Sequence, residues 1–378
     1  MNFEFSEEQN LLKESIVRWA QDNYSFDQRR VSSNNEDGFS REHWSTFAEL
    51  GWLSVPFAEE FGGYGGTLID TAAVMQEFGK ALVVEPIFSN LTMFGGLLQR
   101  SDAKQKSELI AKLIDGSLMG AVAIYEPQAR FDVSNIMTSA TGSDGSYKID
   151  GKKSVVLGGA SAEKLIVLAR TSGEQTDEHG ISLFLIDANA DGVTRNSYPL
   201  MDGQQASDIE FSNASGELIC AEGEAYQLVQ AMLQDAHVAL CAEAVGIMEK
   251  LNTTTVEYTK TRKQFGVTIS SFQALQHRMV DMFMALEQSK SLLIGCLCEL
   301  TDENTTPRQA SKVVNALRTL IAKNGKLIGD EAIQLHGGMG LTDELDVGHY
   351  VKRLMMINLM FGNGDFFQNK FNQEAYSS

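Results

Sequence analysis

Apolar positions along the chain change their period twice. Up to about residue 118 they recur every three or four residues, as in amphipathic helices. Leu11, Leu12, Ile16 and Trp19 form one such series, opened by Ser6 and Gln9 in capping-box order. A second helix is predicted to start at Ser40, carry Phe47 and Leu50, and stop at Gly51. A third runs over about 68–82, after Gly62-Gly63-Tyr64-Gly65-Gly66, a loop that must turn sharply. Between about 120 and 220 the apolar runs become short and rich in β-branched residues: 154–157, 165–168, 181–186 and 208–211. Turn signals separate them: Gly142-Ser143-Asp144-Gly145, Asp150-Gly151 and Asp191-Gly192. That spacing predicts a small antiparallel sheet or barrel. From about residue 222 the helical period returns in long runs, about 226–260, 271–300 and 309–334, with a last one from near Gly348. Long helices joined by short loops predict an antiparallel four-helix bundle.

The expected fold is therefore mostly α with a central β domain: an N-terminal helical domain over 1–118, a β domain over 119–222 and a C-terminal bundle over 223–378. A chain of 378 residues is long enough for two or three cores. The order of helices, strands, helices lacks the βαβ alternation of a doubly wound fold.

Charge narrows the partners. A formal net charge of −19 makes nucleic acid and anionic membrane surfaces poor general partners. A small anionic ligand needs only a local basic pocket. No run approaches the ~20 apolar residues that span a bilayer, and the start, MNFEFSEEQN, is unlike an export signal. A cytoplasmic protein is expected. Cys220, Cys241, Cys296 and Cys298 are too few for a disulfide framework. Cys296-x-Cys298 lies in an apolar helical run without a matching His or Cys pair, so no metal site is expected.

No glycine stretch fits a Rossmann or Walker loop. Two others follow long helices. Arg262-Lys263-Gln264-Phe265-Gly266 reads as a helix C-terminus with basic residues facing the negative dipole end, or as a ligand contact. Gln334-Leu335-His336-Gly337-Gly338-Met339-Gly340 reads as a cap and loop, or as a turn whose bare N–H groups hold phosphate.

Together, in this order and architecture, the two stretches resemble the acyl-CoA dehydrogenase family. The likeness covers essentially the whole chain. It includes the opening FSEEQ, the loop GWLSVPFAEEFGGYGGT, the hairpin GKKSVVLGGASAEKLIVLAR and the bundle segment AEAVG. Within the family the sequence is most similar to a small-subunit branch of pimeloyl-CoA dehydrogenase type. The resemblance implies an FAD-dependent α,β-dehydrogenation of an acyl-CoA in fatty acid metabolism. An electron-transferring flavoprotein would be the acceptor, and the assembly a homo- or heterotetramer. It implies that Arg262, Phe265 and Gln273 touch the diphosphate or adenine part of FAD. Gln334, Gly337 and Gly338 would bind its ADP portion from a neighbouring subunit. Arg262 suits this chemically, as a bidentate charge-assisted partner for a pyrophosphate.

The sequence departs from the family pattern where chemistry is expected. The usual Glu base before Gly-Thr corresponds to Phe361 in Leu359-Met360-Phe361-Gly362-Asn363-Gly364-Asp365. The alternative base position, on the first bundle helix, holds Ala236, next to His237. Glu243, two turns further along that helix, and Asp365 are the substitute candidates. Their ordinary readings are a buried bundle polar group with a local partner and a solvated helix-start residue. The catalytic base thus stays unassigned. A second reading follows: a non-catalytic flavoprotein subunit whose partner supplies the base. In the β domain, Thr-Glu-Pro-Gly-x-Gly-Ser becomes Tyr125-Glu126-Pro127-Gln128-Ala129-Arg130-Phe131, and Trp-x-Thr becomes Val155-Val156-Leu157. Hydroxyl contacts to a flavin ring are lost there.

Overall fold

The computed structural model describes residues 6–143 and 146–376. Phe5 of the opening stretch, and Asp144 and Gly145 of the turn after Gly142, lie outside the described residues. The chain divides into two compact units, one of residues 1–29, 68–83 and 237–378, the other of 30–67 and 84–236.

Helix α1 (Glu7–Asn23) begins at the predicted box: Ser6 Oγ accepts from Gln9 N, and Gln9 Oε1 from Ser6 N. Helix α2 (Phe26–Ser33) is short and polar and leaves no apolar series to read. Helix α3 (Arg41–Glu49) is capped by Ser40 and ends before Gly51, whose φ of 78° takes the left-handed turn. Helix α4 (Leu68–Ala81) matches the third predicted run. A π-helical segment over Phe88–Gly95 then leads to α5 (Gly96–Arg100) and α6 (Lys106–Ile114). The π segment is buried along its whole length, so its residues carry no polar face and no period.

Seven strands follow: β1 (Gly120–Ala123), β2 (Ser139–Ser143), β3 (Ser146–Leu157), β4 (Lys164–Arg170), β5 (Ile181–Asp187), β6 (Val193–Pro199) and β7 (Gln205–Leu218). Pairings β2–β3, β3–β7, β7–β5, β5–β4 and β4–β2 close a ring. Ile149, Leu165, Val167, Phe184, Ile209 and Phe211 are among the residues that fill it. The sheet is not wholly antiparallel as predicted. β1 runs parallel to the start of β4, and β2 touches its far end in parallel at Ser139 and Arg170. The chain leaves the edge of β4 after Ala123 and rejoins it at Ser139, so one edge is used twice.

The C-terminal part comprises α7 (Ala225–Thr261), a hairpin of β8 (Lys263–Gln264) and β9 (Val267–Thr268), then α8 (Gln273–Leu300), α9 (Pro307–His336), α10 (Val347–Leu359) and α11 (Gly364–Tyr376). The last predicted helix is thus two helices. The break at 360–363 contains Phe361 and Gly362, with φ of 59° and 136°, which no helix continues through. α4 and α7 meet where a Cβ on Gly79 would lie 2.2 Å from the Glu243 carbonyl oxygen. Glycine is required there by approach, not by a turn. Contrary to the sequence expectation, α7 is long and apolar enough to cross a membrane. Its apolar window is 78% buried within the protein, as in a core helix.

Candidate functional site

Four of the six nominated cofactor residues line one cleft of about 500 Å³: Arg262, Gln334, Gly337 and Gly338. The resemblance implied that the second stretch serves a neighbouring subunit's cofactor. The structure adds that both stretches face the same cleft of a single chain. Arg262 follows α7 directly, and its carbonyl accepts from Ile269 N at 2.9 Å, which ties the hairpin base to the helix end. The stretch is therefore more than a helix stop. Gln264 pairs with Val267, leaving a two-residue loop in which Phe265 and Gly266 have φ of 53° and 82°. Two positive φ values mark the turn that fits strand twist, normally built from Asn-Gly. Phe265 occupies it at 91% exposure, outside the cleft, with the Phe272 ring 6.2 Å away. Gln273 starts α8, also outside the cleft lining.

The other wall is the end of α9. Gly337 has φ 60° and ψ −142°, a conformation reserved to glycine. A Cβ on Gly337 or Gly338 would meet nothing within 4 Å, so the backbone there faces open space. His336 stacks on Tyr258 at 4.3 Å and its Nδ1 lies 2.8 Å from the Ala332 carbonyl oxygen. His336 Nε2 is buried without a hydrogen-bond partner among the described residues. Arg278 lines the cleft too, bound to Glu331, whereas Arg262 makes no ion pair among the described residues. Sequence reading missed Tyr258, Arg278 and His336. Arg278 carries no local signal that sets it apart from Lys290 on the same helix. A guanidinium with no ion pair among the described residues and a bare glycine backbone fit a diphosphate-bearing nucleotide.

The turn at 360–363, where the resemblance places the base, is a second locus. Arg318, buried on α9, donates through Nη2 to the carbonyls of Ile357, Met360 and Gly362 at 3.0, 2.9 and 3.0 Å. Its guanidinium also lies over the Phe367 ring at 4.8 Å. The turn is thus held through its backbone, whatever side chain residue 361 carries. Phe361 is half-buried and its ring meets the edge of His237 at 6.3 Å. Glu243 is not free to act: Arg353 Nε and Nη2 donate to its two oxygens at 2.6 and 2.8 Å, with both residues buried. Asp365 is exposed in the first turn of α11, beside a surface cleft with Lys323 and Gln368. Ala236 is buried on α7. A separate cavity of about 280 Å³, walled by apolar residues such as Ile321, Val351 and Leu354, contains none of the nominated residues.

In the β domain, Glu126 is a buried hub. It accepts from Lys153 Nζ at 2.8 Å, Met137 N at 2.8 Å and Thr138 N at 3.1 Å. Burial works against its charge, but Lys153 and these donors prevail and hold its pKa at about 2. Burial lowers the Lys153 pKa to about 8, with Glu126 opposing. Val155 sits at the bulge between Lys153 and Val156 with φ 53° and 52% exposure. A β-branched residue in that conformation is strained, and bulges of this kind re-aim side chains beside sites.

Comparison with known proteins agrees with this architecture. Sequence models of the N-terminal, middle and C-terminal domains of acyl-CoA dehydrogenases match residues 6–117, 121–214 and 225–370. The chain belongs to the acyl-CoA dehydrogenase family. It is 26% identical over 374 residues to a probable acyl-CoA dehydrogenase, YngJ, of Bacillus subtilis, with 97% of each chain covered. It is 28% identical over 345 residues to the L-prolyl-[peptidyl-carrier protein] dehydrogenase of Pseudomonas fluorescens, covering 86% of this chain and 88% of that one. The solved FAD complex of PigA superposes with a TM-score of 0.90 at 26% identity over 99% of both chains. The family is FAD-dependent, and tetramers are typical of it.

Proposed function

We propose that this chain is an FAD-dependent dehydrogenase that forms a double bond between the α and β carbons of an acyl thioester, with an acyl-CoA as substrate. The observation that carries the reading is the single cleft shared by Arg262, Gln334, Gly337 and Gly338. Arg262 would neutralise the diphosphate, the two glycines would admit it to bare N–H groups, and Gln334 would contact the ADP half. Phe265 and Gln273 would meet the adenine end from outside the cleft. When bound, FAD supplies the two-electron acceptor for the β-hydrogen. The likeness to a carrier-protein dehydrogenase supports a thioester substrate without fixing what bears it. An electron-transferring flavoprotein is the proposed reoxidant, and a tetramer the proposed assembly.

Phe361 and Ala236 support a second reading, in line with the small-subunit branch. Here the chain is the non-catalytic flavoprotein half of a heteromer whose partner supplies the carboxylate. Extraction of the purified chain should release FAD and not FMN, since the cleft serves the half that FMN lacks. Anaerobic titration with a panel of acyl-CoAs should then bleach the flavin. FMN alone in the extract would overturn the cofactor assignment. Bleaching only with a partner subunit present would favour the second reading.

A further inference from the structure

Loss of a carboxylate at 361 and 236 leaves the α-proton without an acceptor, yet one nitrogen base borders the turn. His237 lies on α7, partly exposed. Its ring packs edge-on against Phe361 at 6.3 Å and Phe367 at 4.9 Å. Its Nδ1 is buried and no hydrogen bond reaches it among the described residues. His336 Nε2 and His349 Nε2 are likewise buried without a hydrogen bond among the described residues, but only His237 of the three packs its ring against Phe361. An imidazole nitrogen left unsatisfied beside the turn asks for an explanation, and a catalytic role is one. The charged and titratable groups near it are Arg318 from α9, Lys370 from α11 and, one turn along its own helix, Cys241. None is a carboxylate that would lock the ring as a cation. Burial first, then Arg318 and Lys370, push its pKa well below the usual histidine range. The ring is therefore neutral at pH 7, with a lone pair available.

We propose that His237 is the group that receives the α-proton of the acyl thioester. The proposal rests on the acyl-thioester reading above. The Cα–H bond breaks and its proton joins the imidazole lone pair. The freed electron pair forms the Cα=Cβ bond as the β-hydrogen leaves with its two electrons for the oxidised flavin. The imidazolium then returns its proton to solvent. A substrate chain lying against Phe361 would also meet His237, whose ring packs edge-on to it.

The test uses the full-length, FAD-loaded chain and the acyl-CoA that bleaches it fastest. Deuterium uptake at the α-carbon in D2O is measured for wild type, His237→Gln and His237→Ala. Expected are a loss of about 100-fold or more in both variants with flavin content unchanged, and recovery in His237→Ala on adding imidazole. Wild-type exchange should rise with pH as the ring deprotonates and level off on the acid side of neutrality. The His237→Gln profile should be flat. A second readout is carbethoxylation of His237 followed by mass spectrometry: the free chain should be modified and the acyl-CoA complex protected. Undiminished exchange in His237→Gln, failure of imidazole to restore His237→Ala, or a ring that is unreactive or unprotected would each overturn the assignment while leaving the dehydrogenase reading intact. A wild-type chain that binds FAD but is bleached by no acyl-CoA would overturn both.

Discussion

The ends of α9 and α10 lie in the same unit and both finish in glycine turns, but their surroundings are opposite. At the end of α9, Gly337 and Gly338 face open space beside Arg262, which makes no ion pair among the described residues. At the end of α10, Gly362 is packed against Phe366 and Phe367, and Arg318 binds the carbonyls on either side of Phe361. One end keeps room for a ligand, while the other keeps its backbone and fills the space with aromatic rings. The contrast shows that a turn can be held independently of the side chain at its tip, because the contacts that shape it run through carbonyl oxygens.

The sharpest way to break this comparison concerns buried charge behind the closed end. Arg353→Met would strand Glu243 with no cation inside the protein, and stability should fall by about 3–5 kcal/mol. Urea denaturation measures it. A loss below about 1 kcal/mol would mean that Glu243 has another partner or is solvated, which would reopen it as a proton acceptor. Arg318→Met comes next. It removes the donor shared by three carbonyls, for an expected cost of about 3 kcal/mol. It should also raise the His237 pKa, because a neighbouring cation is gone. Unchanged stability would show that the turn is held by aromatic packing rather than by its backbone.

The open end should respond differently. Arg262→Met should weaken FAD about 10–100-fold, the value of a charge-assisted contact, and leave the flavin-free chain within about 0.5 kcal/mol of wild type. Fluorescence titration with FAD and a parallel melt separate the two. A large stability loss with unchanged affinity would make Arg262 a helix-end residue, which was the other sequence reading.

What the sequence revealed follows the same division. Local signals were legible where one residue type has one physical use: Ser6 with Gln9, Ser40 with Gly51, and the glycines at 337 and 338. Buried segments without a polar face, such as Phe88–Gly95, gave no period to read. The ring of strands was foreseeable as a class, but not the double use of one edge of β4, which depends on where an irregular stretch rejoins the sheet. Arg262 and Gln334 could be named individually. Their meeting in one cleft could not, since that depends on how α7 and α9 end side by side. The Glu243–Arg353 pair, separated by 110 residues, had no local signature at all.

The smallest expected effect is also the most diagnostic of ligand contact. Phe265 holds a left-handed backbone at a hairpin tip, where Asn followed by Gly is favoured. A bulky residue there costs about 1 kcal/mol, and at 91% exposure its ring recovers little by burial. Phe265→Asn should therefore stabilise the flavin-free chain by about 0.5–1 kcal/mol. If the ring lies against the adenine end of FAD, the same variant should weaken the flavin and gain less stability when loaded. Melting curves with and without FAD give both quantities. A variant stabilised equally in both states would show that Phe265 does not touch the cofactor, and the open end would then consist of the cleft residues alone.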